Sequence, residues 1–293
     1  MEIARIGGTR DRLGESPVWS ASEQRLYWVD SLEGVLHRLD PSTGVHQAFT
    51  VPAPVGSFAL CRDGGVLLAL ADGFRRFDPA RGALAPVVPL DITHPDIRLN
   101  DGKVDRQGRF VAGTMHMNLA AGTTPLGGLY RLAGGRVTKL AGDIVTANGP
   151  CFSPDGRTLY LADSPRQVIW AFDYDAGEGL RGNRRVLVDF ALLGTAPDGG
   201  TVDADGHLWF ALVRSGEIGR FDPTGRLVQR IRMPVRYPTS LNFGGPALDV
   251  LYLTSISRSH RLTAPEPEAG GLFAITGLGV TGIAEPLAVP NAP

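Results

Sequence analysis

The chain has 293 residues, of which 43% are hydrophobic, and its formal net charge is -1 at pH 7. This balance gives no broad electrostatic field that would draw the protein to nucleic acid or to an anionic lipid surface, so neither partner is expected. The 38 glycines and 22 prolines are spread along the whole chain, which is typical of many tight turns between short strands.

The sequence predicts neither a targeting signal nor a cysteine-based metal site. The first ten residues, MEIARIGGTR, lack the apolar core of a secretory signal, and no stretch approaches the roughly 20 apolar residues of a membrane span. Cys61 and Cys151 are far apart, and we expect both to be small buried residues. We therefore expect a soluble cytoplasmic protein that is monomeric or weakly self-associating.

A two-part unit recurs six times along the chain. The first part is a turn followed by a short apolar strand, and it occupies residues 20–30, 61–70, 105–114, 153–163, 203–212 and 244–255. The second part contains a further strand, and it occupies residues 34–44, 73–82, 127–137, 167–177, 216–226 and 270–280. Six copies at a period of roughly 40–50 residues are typical of propeller blades.

This repeat predicts an all-β fold, a six-bladed β-propeller that forms a single domain over residues 1–293. Asp-Gly and Gly-Gly turns between β-rich runs are hairpin signals, and strands that are apolar on both faces fit sheets stacked on neighbouring blades. An open sandwich is the competing architecture, but it does not predict six regular copies, whereas a propeller closes by radial repetition. We expect the first segment, EIARIG (2–7), to pair with strands near the C-terminus and close the ring.

Four of the six repeats carry an oxygen donor at one equivalent position, just before the first strand of the blade. These donors are Glu15, Asn100, Asn148 and Asp198. The other two repeats place Gly56 and the pair Thr239 and Ser240 at this position. The first strand of a blade lines the central channel, so we expect the four donors to converge at one mouth of that channel.

Two carboxylates and two amide carbonyls form a suitable ligand set for one divalent metal ion. All-oxygen ligation favours calcium, magnesium or manganese over a thiol-loving metal, although zinc and ferrous iron also accept such donors. The alternative interpretation is that Asn and Asp at a strand entry only bond the backbone of a turn. Glu15 argues against this alternative because Glu is a poor turn residue.

Further polar residues near these donors are candidates for substrate contacts. Arg98 lies two positions before Asn100, so in a strand both side chains point the same way and Arg98 could bind a carboxylate or a hydroxyl-rich ligand. The alternative interpretation is that Arg98 is an ordinary surface arginine. His116 and Asn118 follow the apolar run RFVAGT and could project into the channel mouth. Tyr237 lies just before the sixth equivalent position, and we expect it to line the same pocket.

The chain resembles the gluconolactonase/regucalcin family, also known by its senescence-marker member. The matching motifs run from near the N-terminus to about residue 275, and they are GESPVW, RLNDGKVD, GRFVAGTM, TANGPCFSPDGRTLYLAD, PDGGTVDADGHLW and GGLFAI. The resemblance implies a six-bladed propeller with a single metal ion. It implies that Glu15, Asn148 and Asp198 are direct ligands, that Asn100 is a ligand or a close neighbour, and that Arg98 and Asn100 contact substrate.

One departure from the family pattern bears on the substrate. Some members carry a substrate-contacting Glu a few residues after GTM, whereas this chain has Asn118 there. His116 in the same segment makes the chain more similar to bacterial sugar lactonases than to animal regucalcins. The identity of the sugar is therefore left open by the resemblance.

Many family members hydrolyse sugar lactones to aldonic acids, which places them in carbohydrate metabolism. The expected reaction is metal-dependent hydrolysis of a sugar lactone, with the metal polarising the carbonyl and Asp198 acting as general base. Arg98, Asn100, His116 and Asn118 would hold the sugar hydroxyls. Two alternatives stay open: a non-catalytic calcium-binding regulatory protein of the regucalcin type, and a metal-dependent aryl-esterase or phosphotriesterase propeller.

Overall fold

The structure is a computed structural model that describes residues 1–90, 92, 94–118, 124–175 and 177–289. Within these residues, 24 strands form six four-stranded antiparallel sheets, which are the blades of a six-bladed propeller. The one helix in the described residues is a 3₁₀ turn at Ser164–Arg166. The predicted fold class is confirmed; the last four residues of the predicted domain lie outside the described residues.

Each blade is built from strands that run outward from the ring axis in chain order. Blade 1 contains β2 (Gly14–Ser20), β3 (Arg25–Asp30), β4 (Val35–Leu39) and β5 (His46–Thr50). Blade 2 contains β6 (Val55–Leu60), β7 (Val66–Leu70), β8 (Gly73–Asp78) and β9 (Ala83–Pro89). Blade 3 contains β10 (Ile97–Val104), β11 (Phe110–His116), β12 (Gly127–Ala133) and β13 (Arg136–Ile144).

The second half of the ring repeats the same order until its last blade. Blade 4 contains β14 (Ala147–Phe152), β15 (Thr158–Asp163), β16 (Val168–Asp175) and β17 (Gly179–Asp189). Blade 5 contains β18 (Pro197–Val202), β19 (Leu208–Leu212), β20 (Glu217–Phe221) and β21 (Leu227–Arg232). Blade 6 contains β22 (Pro238–Gly244), β23 (Val250–Ser255), β24 (Leu272–Thr276) and, as its outermost strand, β1 (Glu2–Ile6).

The N-terminal strand closes the ring by completing the sixth blade. Strand β1 pairs antiparallel with β24, in a register that runs from Glu2 opposite Thr276 to Ile6 opposite Leu272. This confirms the expectation that the first segment pairs near the C-terminus. The blade therefore depends on both ends of the described chain.

The core lies between adjacent blades, where the apolar faces of neighbouring sheets stack. Trp28, Trp209 and most of the strand-borne Phe and Leu side chains are buried there. Cys61 and Cys151 are also buried and unpaired, as predicted. Among the described residues, no helix has the length and apolar character that a membrane-crossing segment needs.

Every innermost strand carries a β-bulge near its start, where its register with the second strand slips. The slips fall between Glu15 and Val18, Val55 and Ser57, Leu99 and Gly102, Asn148 and Cys151, Pro197 and Gly200, and Pro238 and Leu241. The predicted oxygen donors lie at these bulges, so they belong to the innermost strands and do not precede them as expected. A bulge re-aims side chains, which explains how successive residues of one strand can serve the same site.

The innermost strands approach each other closely at the bulges, and glycine is needed there. A Cβ atom on Gly56 would lie 2.6 Å from the backbone oxygen of Asn100 on the next blade. A Cβ atom on Gly199 would lie 2.6 Å from the Cα of Ser240 in the same manner. Both distances are far below van der Waals contact, so these glycines allow the innermost strands of neighbouring blades to lie close together around the site.

Candidate metal centre

A cavity of about 680 Å³ opens at the end of the ring where the innermost strands begin. Its wall brings together five of the predicted site residues, namely Glu15, Arg98, Asn100, Asn148 and Asp198. Tyr237 also lines this cavity, as the sequence predicted. The bulges on blades 1, 3, 4 and 5 thus deliver the side chains of four distant segments to one place.

Within the residues that the structure describes, the two carboxylates that line this cavity have no cationic side chain within hydrogen-bonding distance. Burial, followed by repulsion from Asp198 and from Asp101, raises the pKa of Glu15 well above its ordinary value, against the opposing effect of Arg98. Burial and repulsion from Asp101 likewise raise the pKa of Asp198 well above its ordinary value. Neither side chain has an ion pair in the part of the chain that the structure describes. A positive charge placed between the carboxylates of Glu15 and Asp198 would stabilise their ionised forms.

The Asn148 amide is oriented by its neighbours so that its oxygen is available to the cavity. Its Nδ2 donates to the Ser164 hydroxyl at 2.8 Å, and that hydroxyl donates to the Pro197 carbonyl at 2.6 Å. The Asn148 Oδ1 accepts a hydrogen bond from Asn100 Nδ2 at 2.7 Å, which leaves a second lone pair on this oxygen. The donor set of two carboxylates and oriented amide oxygens therefore fits a hard divalent cation.

Asn100 connects the candidate metal ligands to the candidate substrate-binding residue. Its Nδ2 donates to the Ala147 carbonyl at 2.9 Å in addition to Asn148, which fixes the amide orientation. Its Oδ1 accepts from Arg98 Nη1 at 3.3 Å. Asn100 can thus divide its contacts between a metal ion and a substrate, and its role as a direct ligand stays a prediction.

Arg98 supplies a buried fixed cation at the cavity wall. Its Nη1 donates to the Leu99 carbonyl at 2.7 Å, and this contact and the one to Asn100 hold the guanidinium in place. Burial lowers the pKa of Arg98 to about 10, while the nearby Glu15 opposes this shift. The guanidinium therefore stays protonated at neutral pH and can donate to an oxygen-rich ligand.

Asp101 is a third buried carboxylate at the site, and the sequence analysis missed it. Its Oδ1 accepts from the Gly102 N–H at 2.8 Å, and its Oδ2 accepts from the Gly149 N–H at 2.7 Å on the next blade. It holds the bulges of blades 3 and 4 together beside the candidate ligands. The available signal was its position after Asn100, where the equivalent residues after the other donors are Ser or Gly.

Gly149 lies beneath the site in a conformation that favours glycine. Its φ is +52°, and a Cβ atom there would meet the Phe210 ring and lie 2.7 Å from the Gly200 nitrogen. We expect Gly149→Ala to cost about 2–4 kcal/mol of stability, because backbone strain and overpacking add. Gly44→Ala is the control, since Gly44 has φ +75° with nothing within 4 Å of the added carbon. Equal losses of Tm in the two variants would contradict the packing part of this explanation.

The structure does not bring His116 or Asn118 to the cavity wall. Strand β11 continues through His116, and Arg98 lies opposite Met115 while Ile97 lies opposite His116. Because paired residues share a face and successive residues alternate, Met115 faces the cavity and His116 faces away from it. Met115 and Met117 line the cavity instead. Asn118 is exposed. Neither His116 nor Asn118 is among the residues that line the cavity, so their contacts with substrate stay predictions.

His116 takes part in a second group of potential ligands with His94 and Asp96. One ligand atom from each of these residues lies within 4.8 Å of the others, so the group could hold a metal ion. However, the Asp96 N–H donates to His94 Nδ1 at 3.2 Å, and the Asn118 N–H donates to His116 Nδ1 at 3.1 Å. Because Nδ1 accepts a hydrogen bond in both rings, a neutral imidazole carries its proton on Nε2. A histidine that binds a metal through one ring nitrogen usually donates a hydrogen bond from the other nitrogen, and here Nδ1 accepts one instead. The oxygen set is therefore the better candidate centre.

Comparisons with known proteins identify the family of this chain. The family described as the SMP-30/Gluconolactonase/LRE-like region matches residues 13–257. The chain is 38% identical to regucalcin of Xenopus laevis, over 93% of this chain and 93% of that protein. It is 40% identical to 6-deoxy-6-sulfogluconolactonase of Pseudomonas putida, over 94% of each chain.

A solved structure supports the same relationship at the level of the fold. A calcium-binding protein, regucalcin from Agrobacterium tumefaciens, superimposes with a TM-score of 0.89 and 32% sequence identity, covering 97% of each chain. The family match spans most of the chain and includes all four predicted oxygen donors. The chain therefore belongs to the SMP-30/gluconolactonase/LRE-like family.

Proposed function

We propose that this protein hydrolyses a sugar lactone to the corresponding aldonic acid in a reaction that depends on one divalent metal ion. The observation that carries this proposal is the cavity in which Glu15 and Asp198 lie beside the oriented amides of Asn100 and Asn148. None of the described residues forms an ion pair with either carboxylate. The relatives named for lactonase activity support the reaction class.

The residues of the centre divide into metal-holding and substrate-holding groups. Glu15, Asn148 and Asp198 would hold the ion, and Asn100 would contact both the ion and the substrate. When bound, a divalent ion supplies Lewis-acid polarisation of the lactone carbonyl and lowers the pKa of a water molecule. Calcium, zinc, magnesium, manganese and ferrous iron all accept this oxygen set with different affinities.

Asp198 is the proposed general base. Its carboxylate lines the cavity and forms no ion pair with any described residue, so it can accept a proton from the attacking water and later release it. Arg98 would donate from its guanidinium to the substrate and orient it, since hydrogen bonds to Leu99 and Asn100 already fix that group. Ser164 maintains the Asn148 amide in the orientation that presents oxygen to the cavity.

The direct test is acid release in a pH-stat with a panel of neutral aldonolactones. The protein is first treated with a chelator, and each divalent ion is then restored separately. We expect no turnover above the spontaneous rate after chelation, and recovery of turnover with at least one ion. Absence of acid release from every lactone with every ion would overturn the proposal.

A calcium-binding protein without turnover is a second candidate. It is supported by the relatives named regucalcin and by the Agrobacterium tumefaciens structure, which is described as a calcium-binding protein. Stoichiometric calcium binding at micromolar affinity, together with no acid release, would favour this candidate over the lactonase.

The apolar part of the cavity wall is a reason to test aryl esters as substrates. Leu13, Leu32, Met115 and Met117 make one side of the cavity apolar, which the polar residues of the sequence did not predict. A chromogenic aryl ester and a phosphotriester belong in the same assay. Turnover of these compounds that exceeds lactone turnover would change the substrate class while keeping the metal centre.

A further inference from the structure

The wall of the cavity is asymmetric in charge. The loops that join the second and third strands of blades 4, 5 and 6 contribute three arginines and one histidine, which are Arg166, Arg214, Arg261 and His260. The corresponding loops of blades 1 and 3 contribute Leu32, Met117 and Pro125. Among the described residues of the rim, the arginines therefore come from blades 4, 5 and 6, and the apolar side chains come from blades 1 and 3.

Arg166 is already neutralised by carboxylates of the protein. Its Nη2 lies 2.7 Å from Asp143 Oδ1, and its Nη1 lies 3.4 Å from Asp163 Oδ2. In contrast, the structure gives neither Arg214 nor His260 a side-chain hydrogen bond or an ion pair within the residues it describes. Both of these side chains are exposed at the rim.

Arg214 lies at the end of blade 5 where the strand that carries Asp198 begins. It follows β19, whose last residue, Leu212, pairs with Pro197, the residue before Asp198. The Val213 N–H donates to the Ala196 carbonyl at 3.2 Å, which anchors the turn that carries Arg214 to the entry of the Asp198 strand. Arg214 and Asp198 therefore line the same cavity from adjoining parts of blade 5.

Arg214 is a fixed positive charge at the rim, and none of the ion pairs among the described residues involves it. Clefts lined by one sign of charge concentrate ligands of the opposite sign, so this side chain can attract an anionic group of a ligand.

We propose that the cavity selects aldonolactones that carry an anionic group at the end remote from the ring carbonyl, and that Arg214 and His260 bind this group. The inference rests on the proposed lactonase function and names its substrate class. A sulfonate, a phosphate or a carboxylate shares the required chemistry, because each offers several oxygen acceptors to a guanidinium. A neutral lactone offers no charged group to the Arg214 guanidinium or the His260 ring at the rim.

The test compares kcat/KM for glucono-1,5-lactone with that for its 6-phospho and 6-sulfo counterparts and for an aldarolactone with a free carboxylate. We expect the wild-type protein to prefer at least one anionic lactone, and the preference to decrease as sodium chloride is raised. Arg214→Ala should lower kcat/KM for the preferred anionic lactone about five- to tenfold and change that for the neutral lactone less than about twofold. Arg214→Lys should retain part of the preference because the charge remains.

Arg157→Ala is the matched control. Arg157 is exposed on the turn between β14 and β15, at the opposite end of the ring, and its loss changes the net charge equally. Turnover of the neutral lactone without any preference for anionic ones would overturn this inference and leave the proposed function intact. An unchanged preference in Arg214→Ala would also overturn it. Absence of turnover on every lactone would overturn the proposed function and this inference together.

Discussion

Replacing Asp198 by Asn is expected to lower kcat for lactone hydrolysis by about 10²–10⁴-fold, the usual contribution of a general base. The amide keeps the shape and one oxygen donor, but it cannot accept the proton of the attacking water. Because Asp198 is also a proposed ligand, kcat must be measured at saturating metal, with occupancy determined separately by metal analysis.

Asp205→Asn provides a control for the Asp198 variant on the same blade. Asp205 is exposed on the turn between β18 and β19, away from the cavity, so its substitution should leave kcat unchanged. If Asp198→Asn retained kcat within about threefold at full metal occupancy, another group would have to accept the proton. Asp198 would then act as a ligand only.

Replacing Glu15 by Gln is expected to increase the stability of the metal-free protein while it weakens metal binding at least about a hundredfold. Changes beyond the direct ligands alone typically cost 10–100-fold in metal affinity, and Glu15 is proposed as a direct ligand. In the metal-free protein, burial and repulsion from Asp198 disfavour the ionised form of Glu15. The neutral amide removes that repulsion.

The pH dependence of stability follows from the direction of these pKa shifts. The folded pKa of Glu15 is raised above its value of 4.5, so between these two values the folded state binds more protons than the unfolded state. The stability of the chelated wild-type protein should therefore fall as pH rises from about 4.5 through the raised pKa. Glu15→Gln should flatten this slope.

Thermal unfolding between pH 5 and pH 8 measures both effects. With chelator, we expect the Tm of Glu15→Gln to exceed the wild-type Tm by a few degrees near pH 7.5, since about 1 kcal/mol corresponds to roughly 2–4 °C for a domain of this size. With metal at about 100 times the Kd, the wild type should gain about 2.7 kcal/mol, and the variant should gain little at the same concentration.

Glu2→Gln is the control for this comparison, because Glu2 is exposed on the outermost strand of blade 6. It should alter neither the pH slope nor the stabilisation by metal. A chelated Glu15→Gln protein with a lower Tm than the wild type would show that Glu15 stabilises the metal-free fold, contrary to the repulsion argument.

The fold was predictable from the sequence because its repeats are local. The sequence of each blade contains a recognisable turn followed by an apolar strand, and six copies in one register predict the ring. The oxygen donors at Glu15, Asn148 and Asp198 could be aligned because they occupy the same position of that repeat. Their convergence follows from the symmetry of the ring and needs no knowledge of side-chain contacts.

Features that depend on where a strand ends or on contacts between blades were harder to predict from the sequence. His116 was expected in the channel mouth because it follows an apolar run, but β11 continues through it, and alternation turns Met115 toward the cavity. Ser164 acts on Asn148 from the loop after β15, 16 residues away in the sequence. Asp101 bonds Gly149 across two blades, and no sequence pattern specifies such a pairing.

The shared sixth blade has a consequence for how the protein matures during synthesis. Strand β24 ends at Thr276 and pairs with β1, which is synthesised before every other strand of the ring. The nascent chain can form individual hairpins early, but the ring cannot close until its last blade has been translated. The proposed ligands come from blades that only a closed ring holds in position. If the proposed centre binds a divalent ion, we therefore expect the ion to be acquired after translation, as the last step of assembly.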